Sequence, residues 1–261
     1  HCARGLRRKI HGDRSLCDRR GQGVSSHGQG QDIYIRKSGD CCVQLIDFAV
    51  KTVAGRTQVV IGVGHTEEEQ VIRLAAHAAE AGADALNIVS PYYFGPPAAA
   101  AIDYFERIAK RTTLPLMLYN FPDRTGSDLS PEIVREIALR CPTITGIKDT
   151  VDNISHTRRI CQAVKPVRQN FAVLSGFDEY YVVNRISGGD GVLCGLTNVV
   201  PELFVKMHTS YERGDFAAAV CCAEKIAGLM RIYAVTPLFI TGTTLTEAED
   251  REICAILADL D

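Results

Sequence analysis

Val59-Val-Ile-Gly-Val-Gly-His-Thr-Glu-Glu-Glu69 is the stretch that decides the fold. It begins as a short β-branched run that ends in glycine, which is typical of a buried strand. Thr66 and Glu69 then form a capping box, which predicts a helix from this point through Ala81, with Gly82 as its stop. A strand followed closely by a helix is the repeating unit of parallel α/β proteins.

The same unit recurs along the chain. Apolar strand candidates alternate with helical stretches, and successive strands start about 19 to 31 residues apart. This pattern predicts an α/β fold with a parallel sheet buried on both faces, and by itself it leaves open a (β/α)8 barrel or a doubly wound sheet. The predicted strands are Val59–Val63, Ala85–Val89, Leu116–Tyr119, Ile144–Lys148, Ala172–Leu174 and Gly191–Cys194, and the later predicted helices are Pro97–Arg111, one from Ser130, Ile154–Val164, Glu179–Ile186, Glu202–Arg213 and Phe216–Met230.

The composition is that of a globular chain. Of its 261 residues 46% are hydrophobic, which is enough to bury a sizeable core. The 29 basic and 31 acidic residues nearly balance, which argues against a nucleic-acid or polyanion partner. No apolar run approaches the roughly 18 residues that cross a bilayer, so no membrane span is expected. Ten cysteines, most of them in apolar stretches, favour a reduced, cytoplasmic protein.

Residues 1–42 differ from the rest, since seven Arg and two Lys stand there against four Asp. A nucleic-acid-binding arm is one interpretation, but aromatic side chains that could stack on bases are not interleaved with the basic ones. A zinc site is another, but its candidate ligands contain no C-x2–4-C pair. An irregular basic segment is the interpretation we favour. The candidate ligands of that zinc site are Cys2, His11, Cys17 and His27.

Gly62-Val-Gly64 lies between a strand and a helix, the context of a dinucleotide-binding fingerprint. The third glycine position of that fingerprint falls on Glu67, and two more glutamates follow where a pyrophosphate would bind. Their charge would repel it, so this motif indicates a tight turn before a helix.

Polar residues follow three consecutive strands, at Ser90–Tyr93, Tyr119–Gly126 and Gly146–Thr150. In parallel α/β folds ligands bind at this edge of the sheet. Lys148 ends an apolar strand, where partial desolvation favours the neutral, nucleophilic amine. Such an amine can form a Schiff base with a ketone, while a tyrosine on a neighbouring strand moves the protons. The alternative is a lysine that reaches solvent and pairs with Asp149.

Eight motifs follow one another along the chain: Gly62-Val-Gly64, Ala81-Gly-Ala-Asp84, Ser90-Pro-Tyr-Tyr93, Leu118-Tyr-Asn-Phe-Pro122, Arg124-Thr-Gly126, Gly146-Ile-Lys-Asp-Thr150, Leu174-Ser-Gly176 and Gly188-Gly-Asp-Gly191. In this order the stretch from Leu45 to about Phe239 resembles the dihydrodipicolinate synthase/N-acetylneuraminate lyase family. The resemblance implies a (β/α)8 TIM barrel with C-terminal helices and a class I, Schiff-base aldolase or lyase reaction on a pyruvate-like 2-oxo acid and an aldehyde. It also implies a homo-oligomer, a dimer or tetramer. Neither a metal nor an organic cofactor is expected, because the lysine imine is itself the electron sink.

The resemblance implies a role for each matching residue. Lys148 matches the Schiff-base lysine, and Tyr119 matches the proton-relay tyrosine near the substrate carboxylate. Tyr93 matches a tyrosine that approaches the active site from a neighbouring subunit. The implied substrate-binding residues are Arg124, Val192, whose backbone carbonyl would face the ketoacid, and Gly188 and Gly189 in the loop before it.

The branch of the family stays open. Arg124 lies where dihydrodipicolinate synthases keep an arginine for the carboxylate of the second substrate, and a guanidinium binds a carboxylate through two hydrogen bonds. Asn120-Phe-Pro122 and Lys148-Asp-Thr150 are more similar to the 2-keto-3-deoxy-sugar-acid aldolases.

Two regions depart from the family pattern. The family's carboxylate-binding loop falls on Gln29–Ile33, which reads Gln-Gly-Gln-Asp-Ile, and roughly 30 residues of the family pattern are absent before Leu245–Glu252. The alternative function is therefore a catalytically impaired pseudo-aldolase that serves as an interaction or structural subunit. We expect an irregular segment over residues 1–42, a barrel over 43–236 with an incomplete first quarter, and a shortened helical segment over 237–261.

Overall fold

The computed structural model describes residues 39–235 and 245–258. The described residues divide into two units, one over residues 39–194 and the other over residues 195–235 and 245–258. All the predicted site residues lie in the first unit. Residues 1–38 of the expected irregular segment, which include the loop at Gln29–Ile33 and the expected gap in the first quarter, fall outside the described residues. Its last four residues, 39–42, are helical, so the prediction is wrong there. The domain boundaries stay predictions.

The first unit contains a six-stranded sheet in which every pair of neighbours is parallel. The strands lie side by side in the order of the chain, without the reversal that marks a doubly wound sheet. This is the strand order of a (β/α)8 barrel, so the doubly wound alternative is wrong. The strands are β1 (Val60–Val63), β2 (Ala85–Val89), β3 (Leu116–Asn120), β4 (Ile144–Asp149), β5 (Ala172–Ser175) and β6 (Gly191–Val192).

The helices of the first unit contact one another in succession, as a layer beside the sheet does. One face of the sheet packs on this layer, and Leu118 and Ile147 belong to the apolar core that they share. The helices are α1 (Gly39–Val53), α2 (Glu68–Ala81), α3 (Ala98–Arg111), the single turn α4 (Pro122–Thr125), α5 (Pro131–Arg140), α6 (Ile154–Val164) and α7 (Tyr181–Ile186). The helix α1 was not predicted.

The helix ends test the capping predictions. At α5 the Ser130 hydroxyl accepts from the backbone N–H of Ile133, which confirms Ser130 as the N-cap. At α2 the capping box is wrong, because the helix begins one residue later than expected and has no side-chain cap. Glu69 forms an ion pair with Arg111 of α3. The carboxylate thus stabilises the helix layer instead of the helix end.

The second unit is helical in its described part, residues 195–235 and 245–258. Its first two helices pack on each other, and the Asp215 side chain caps the second by accepting from the N–H of Ala218. Its helices are α8 (Pro201–Glu212), α9 (Phe216–Leu229), α10 (Ile232–Val235) and α11 (Glu247–Ala258). Across the described ranges of both units, every helix is too short or too polar to cross a membrane.

Candidate active site

Lys148 and Tyr119 face each other across the pair β3 and β4. Their α-carbons are partners in the parallel register, so both side chains leave the same face of the sheet. Lys148 is only 5% exposed, and its Nζ lies 4.4 Å from the centroid of the Tyr119 ring. A buried amine and a phenol on neighbouring strands are the kinds of group that supply a Schiff-base nucleophile and a proton relay. The roles of Lys148 and Tyr119 stay predictions.

Arg124 is connected to this pair through one aromatic ring. The Phe121 ring lies 5.9 Å from the Tyr119 ring, and the Arg124 guanidinium carbon lies 5.8 Å from the Phe121 ring centroid. The turn α4 carries Arg124 and ends at Gly126, whose φ of 74° is the left-handed conformation that glycine adopts without strain. The guanidinium is exposed, so a ligand can reach it.

Val192 lies on β6, one residue nearer the carboxyl end of the strand than Gly191, the residue level with Lys148 across the sheet. Lys148 pairs with Leu174 and then Gly191, whereas Val192 pairs with Ser175. The Asn184 side chain holds this strand by accepting from the Gly191 N–H and donating to the Val173 carbonyl. The direction of the Val192 carbonyl toward a ketoacid stays a prediction.

The two glycines before β6 differ in what they require. Gly188 has a φ of 91°, a conformation that disfavours any residue with a side chain. A Cβ added at Gly189 would overlap the Asn184 amide. Both glycines are therefore needed to bring β6 to its place beside β5.

Tyr93 is largely exposed in the described part of the chain. It follows β2, is 83% exposed, and has a φ of 81°, which is rare for a residue with a side chain. Its ring meets that of Phe94 edge to face at 4.7 Å. Two adjacent exposed aromatic rings leave an apolar surface at this loop, and the place of Tyr93 in another chain's site stays a prediction.

Sequence reasoning missed a buried polar cluster behind the site. Asp149, adjacent to Lys148, points to the opposite face of the sheet and is fully buried. Its Oδ1 accepts from Asn120 Nδ2 at 2.9 Å. Its Oδ2 accepts from the Thr157 hydroxyl at 2.7 Å and lies 3.0 Å from His156 Nδ1. Asp149 is thus bound to β3 and α6, away from the lysine that the alternative interpretation paired with it.

His156 lies between two carboxylates. Its Nε2 is 3.2 Å from Asp128 Oδ2, an ion pair whose geometry is not that of a hydrogen bond; within residues 39–235 and 245–258 this nitrogen has no hydrogen-bond acceptor. Burial alone lowers the pKa of His156, but the contacts with Asp128 and Asp149 outweigh it and raise that pKa to about 9. In turn, the contact with His156 lowers the pKa of Asp128. The ring is therefore an imidazolium at neutral pH.

This charge predicts a pH dependence of stability. The pKa of His156 is raised in the folded protein, so its stabilisation is complete below pH 6.5 and is lost as the pH rises through about 9. We expect the free energy of unfolding to fall by about 3 kcal/mol over this range. Urea unfolding at a series of pH values measures the fall, and His156→Gln should remove most of it. Parallel curves for the two proteins would refute the prediction.

One sequence signal could have revealed the cluster. His156 and Thr157 lie on the face of α6 that also carries Ile160, Cys161 and Val164, all of them buried. Polar side chains at core positions of an amphipathic helix need buried partners. The pattern indicates that such partners exist, but it does not identify them.

The strand order and the lysine at the carboxyl end of β4 define the class of protein, an α/β barrel with its site at the carboxyl edge of the sheet. The chain belongs to the dihydrodipicolinate synthetase family, whose model matches residues 36–252.

Relatives in this family carry two kinds of name. The chain is 40% identical over 197 residues to the probable 2-dehydro-3-deoxy-D-pentonate aldolase YjhH of Escherichia coli, a match of 76% of this chain and 65% of YjhH. It is 37% identical to the 4-hydroxy-tetrahydrodipicolinate synthase of Methanosphaerula palustris, over 72% of this chain and 64% of that enzyme. The chain thus spans slightly less than two thirds of these curated relatives.

The chain is also similar to a solved structure, the crystal structure of YagE from E. coli K12 in complex with pyruvate. The TM-score is 0.83 and the identity 30%, and the match covers 86% of this chain and 82% of YagE.

Proposed function

We propose that this chain is a Schiff-base-forming aldolase or lyase that acts on pyruvate or a pyruvate-derived 2-oxo acid. The observation that carries the proposal is the buried Lys148 amine over the Tyr119 ring at the carboxyl end of the sheet. The names of the family's relatives and the pyruvate complex of YagE support it. Nothing in the comparisons favours the pseudo-aldolase alternative.

The reaction follows from the chemistry of an amine and a ketone. The Lys148 amine adds to the C2 carbonyl carbon of the 2-oxo acid, and loss of water leaves an iminium ion. Tyr119 donates a proton to the departing hydroxyl and can accept it back. The Tyr119 phenolate takes a proton from C3, which gives an enamine that attacks an aldehyde, and the phenol returns the proton to the new alkoxide. Water then hydrolyses the iminium, which releases the product and the Lys148 amine, and the reverse order cleaves the bond. Because the iminium accepts the electrons, the scheme needs neither a metal nor an organic cofactor.

The remaining residues would bind and complete the site. In this proposal the Val192 carbonyl faces the ketoacid, and the Gly188 and Gly189 loop places it. Tyr93 extends the proton relay of a second copy of the chain, and its exposure supports a homo-oligomer, a dimer or tetramer. A cytoplasmic location accompanies the proposal, supported by buried free thiols such as Cys161.

The aldehyde separates the two branches of the family. A dihydrodipicolinate synthase-like enzyme takes an aldehyde that bears a carboxylate, and the exposed Arg124 favours it. A 2-keto-3-deoxy-sugar-acid aldolase-like enzyme takes or releases a neutral hydroxyaldehyde, which the similarity to YjhH favours.

Arg124→Leu is expected to discriminate between these branches. Loss of a charged hydrogen bond of about 1.5–3 kcal/mol should raise KM for a carboxylate-bearing aldehyde by roughly 10- to 150-fold. KM for a neutral hydroxyaldehyde should change by less than about twofold, because no charge partner is lost. Steady-state kinetics with both aldehydes, and with Arg135→Ala as an exposed control, measure the difference. An equal loss with both aldehydes would mean that Arg124 supports the site structurally.

Borohydride trapping tests the proposed function. Reduction in the presence of pyruvate should attach the three-carbon unit to one lysine, which peptide mapping by mass spectrometry should locate at Lys148. A wild-type protein that gives no adduct under conditions that label a known class I aldolase would favour the pseudo-aldolase.

A further inference from the structure

The loop of residues 121–130, which carries Arg124, contacts its neighbours at several places. The Phe121 ring lies 5.9 Å from the Tyr119 ring of β3, and the Ser127 hydroxyl lies 3.4 Å from that of Ser90, which follows β2. Its polar attachment to β4 is at Asp128. Asp128 of this loop and Asp149 of β4 are bridged twice. Asn120 Nδ2 donates to both carboxylates at 2.9 Å, and His156 contacts them at 3.2 and 3.0 Å. Next to them, the Leu129 N–H donates to Asn120 Oδ1 at 3.0 Å. The polar attachment of the loop to β3 and β4 thus lies in this cluster.

The loop is stiff within itself. The Thr125 hydroxyl donates to the carbonyls of Phe121 and Ser127, and its side chain is buried. The N–H of Gly126 donates to the Pro122 carbonyl at 2.8 Å. A stiff loop moves as one body, so its attachment at Asp128 and Leu129 also sets the position of Arg124.

We propose that His156 is a positioning residue, whose ring between Asp128 and Asp149 holds the Arg124 loop against the strand that carries Lys148. His156 belongs to α6 and is 5% exposed, so it acts from behind the sheet and meets no substrate. This role differs from those of Lys148, Tyr119 and Arg124. His156 sets the position of the loop that binds the second substrate, whereas the imine chemistry takes place on the opposite face of the sheet.

The charges around His156 explain why a cation is needed there. Two carboxylates share the cluster, and Asn120 supplies hydrogen bonds but no charge. Arg159 and Glu132 are further charged groups near the cluster. The contact with His156 lowers the pKa of Asp128 most, and Arg159 lowers it further. The Ser130 hydroxyl lowers the pKa of Glu132 most, and Arg159 and His156 lower it further. When His156 loses its proton, Asp128 and Asp149 repel across the ring, and the half-exposed Asp128 is the partner that can move toward water.

Hydrogen exchange of the loop amides tests this positioning without any assay of activity. In His156→Gln, which keeps polar atoms but no charge, residues 121–130 should exchange about tenfold faster at pH 7.5, which corresponds to about 1.4 kcal/mol. In the wild type the same rise, corrected for intrinsic exchange, should appear between pH 8 and 10. His77→Gln is the matched control. His77 of α2 also pairs with a carboxylate, that of Asp47 on α1 at 2.7 Å, but within the described residues this pair has no polar contact with the loop.

A second measurement connects the cluster with the site, and it rests on the proposed function. In His156→Gln, KM for the preferred aldehyde should rise about tenfold, while borohydride trapping of pyruvate at Lys148 stays within about twofold of wild type. Loop exchange equal to wild type in the variant, together with no rise in the wild type above pH 8, would overturn the inference. If the variant does not fold, the wild-type pH series decides alone. If borohydride traps no pyruvate on the wild-type protein, the proposed function is wrong. The positioning role of His156 would be unaffected by that result, because hydrogen exchange of the loop tests it separately.

Discussion

Lys148→Ala should give no borohydride-reducible adduct with pyruvate, and its kcat should fall by more than about 10³-fold. A nucleophile and its proton relay act as a unit, so removal of the nucleophile removes nearly all of their joint contribution. The free energy of unfolding should change little, because the substitution leaves the apolar part of β4, Ile144 and Ile147, in the core. Mass spectrometry of the reduced protein, beside a urea unfolding curve, measures both.

The control for this experiment is a second lysine variant. Lys110→Ala removes an exposed amine that pairs with Glu106 one turn away on α3, and it should be trapped like the wild type. An adduct of wild-type yield in Lys148→Ala would show that another lysine forms the imine. Loss of the adduct in both variants would point to an effect on the assay.

Asp149→Ala should lower the free energy of unfolding by about 3–5 kcal/mol, the cost of removing one partner of a buried charge pair. The substitution leaves the His156 imidazolium with Asp128 alone. The Asn120 amide and the Thr157 hydroxyl, both fully buried, each lose an acceptor. Urea unfolding at pH 7, compared at constant m, measures the loss.

Asp47→Ala is the matched control, because Asp47 also pairs with a histidine but is half exposed. Its loss should lie within about 1 kcal/mol, the range of exposed ion pairs. If Asp149→Ala costs no more than this control, the buried cluster does not stabilise the fold. A restored stability in Asp149→Asn would instead assign the effect to hydrogen bonding, and charge would then matter little.

The sequence by itself determined the order and kind of the elements. Five of the six strands were located to within one residue at each end, because buried parallel strands are short apolar runs and glycine or a helix cap limits them. It also marked Lys148 and Tyr119, since a polar residue that ends an apolar strand stands out in any local window.

Errors arose where a distant residue competes for a local group. Thr66 and Glu69 fit a capping box, but Glu69 pairs with Arg111, 42 residues along the chain, on the neighbouring helix. No local pattern contains that alternative. The helix α1 begins at Gly39, inside the segment 1–42 whose basic, glycine-rich composition predicts irregular structure. That composition conceals the start of the helix.

What only the tertiary structure decided is which polar groups share a site and which face of the sheet they serve. The register of β3 with β4 sets Tyr119 beside Lys148 and Asn120 beside Asp149, on opposite faces. Packing of α6 then brings His156 between Asp128 and Asp149, whose charges come from separate segments of the chain. A sequence fixes side-chain direction along one strand through its period of two, whereas the alignment of one strand with the next depends on packing of the whole sheet.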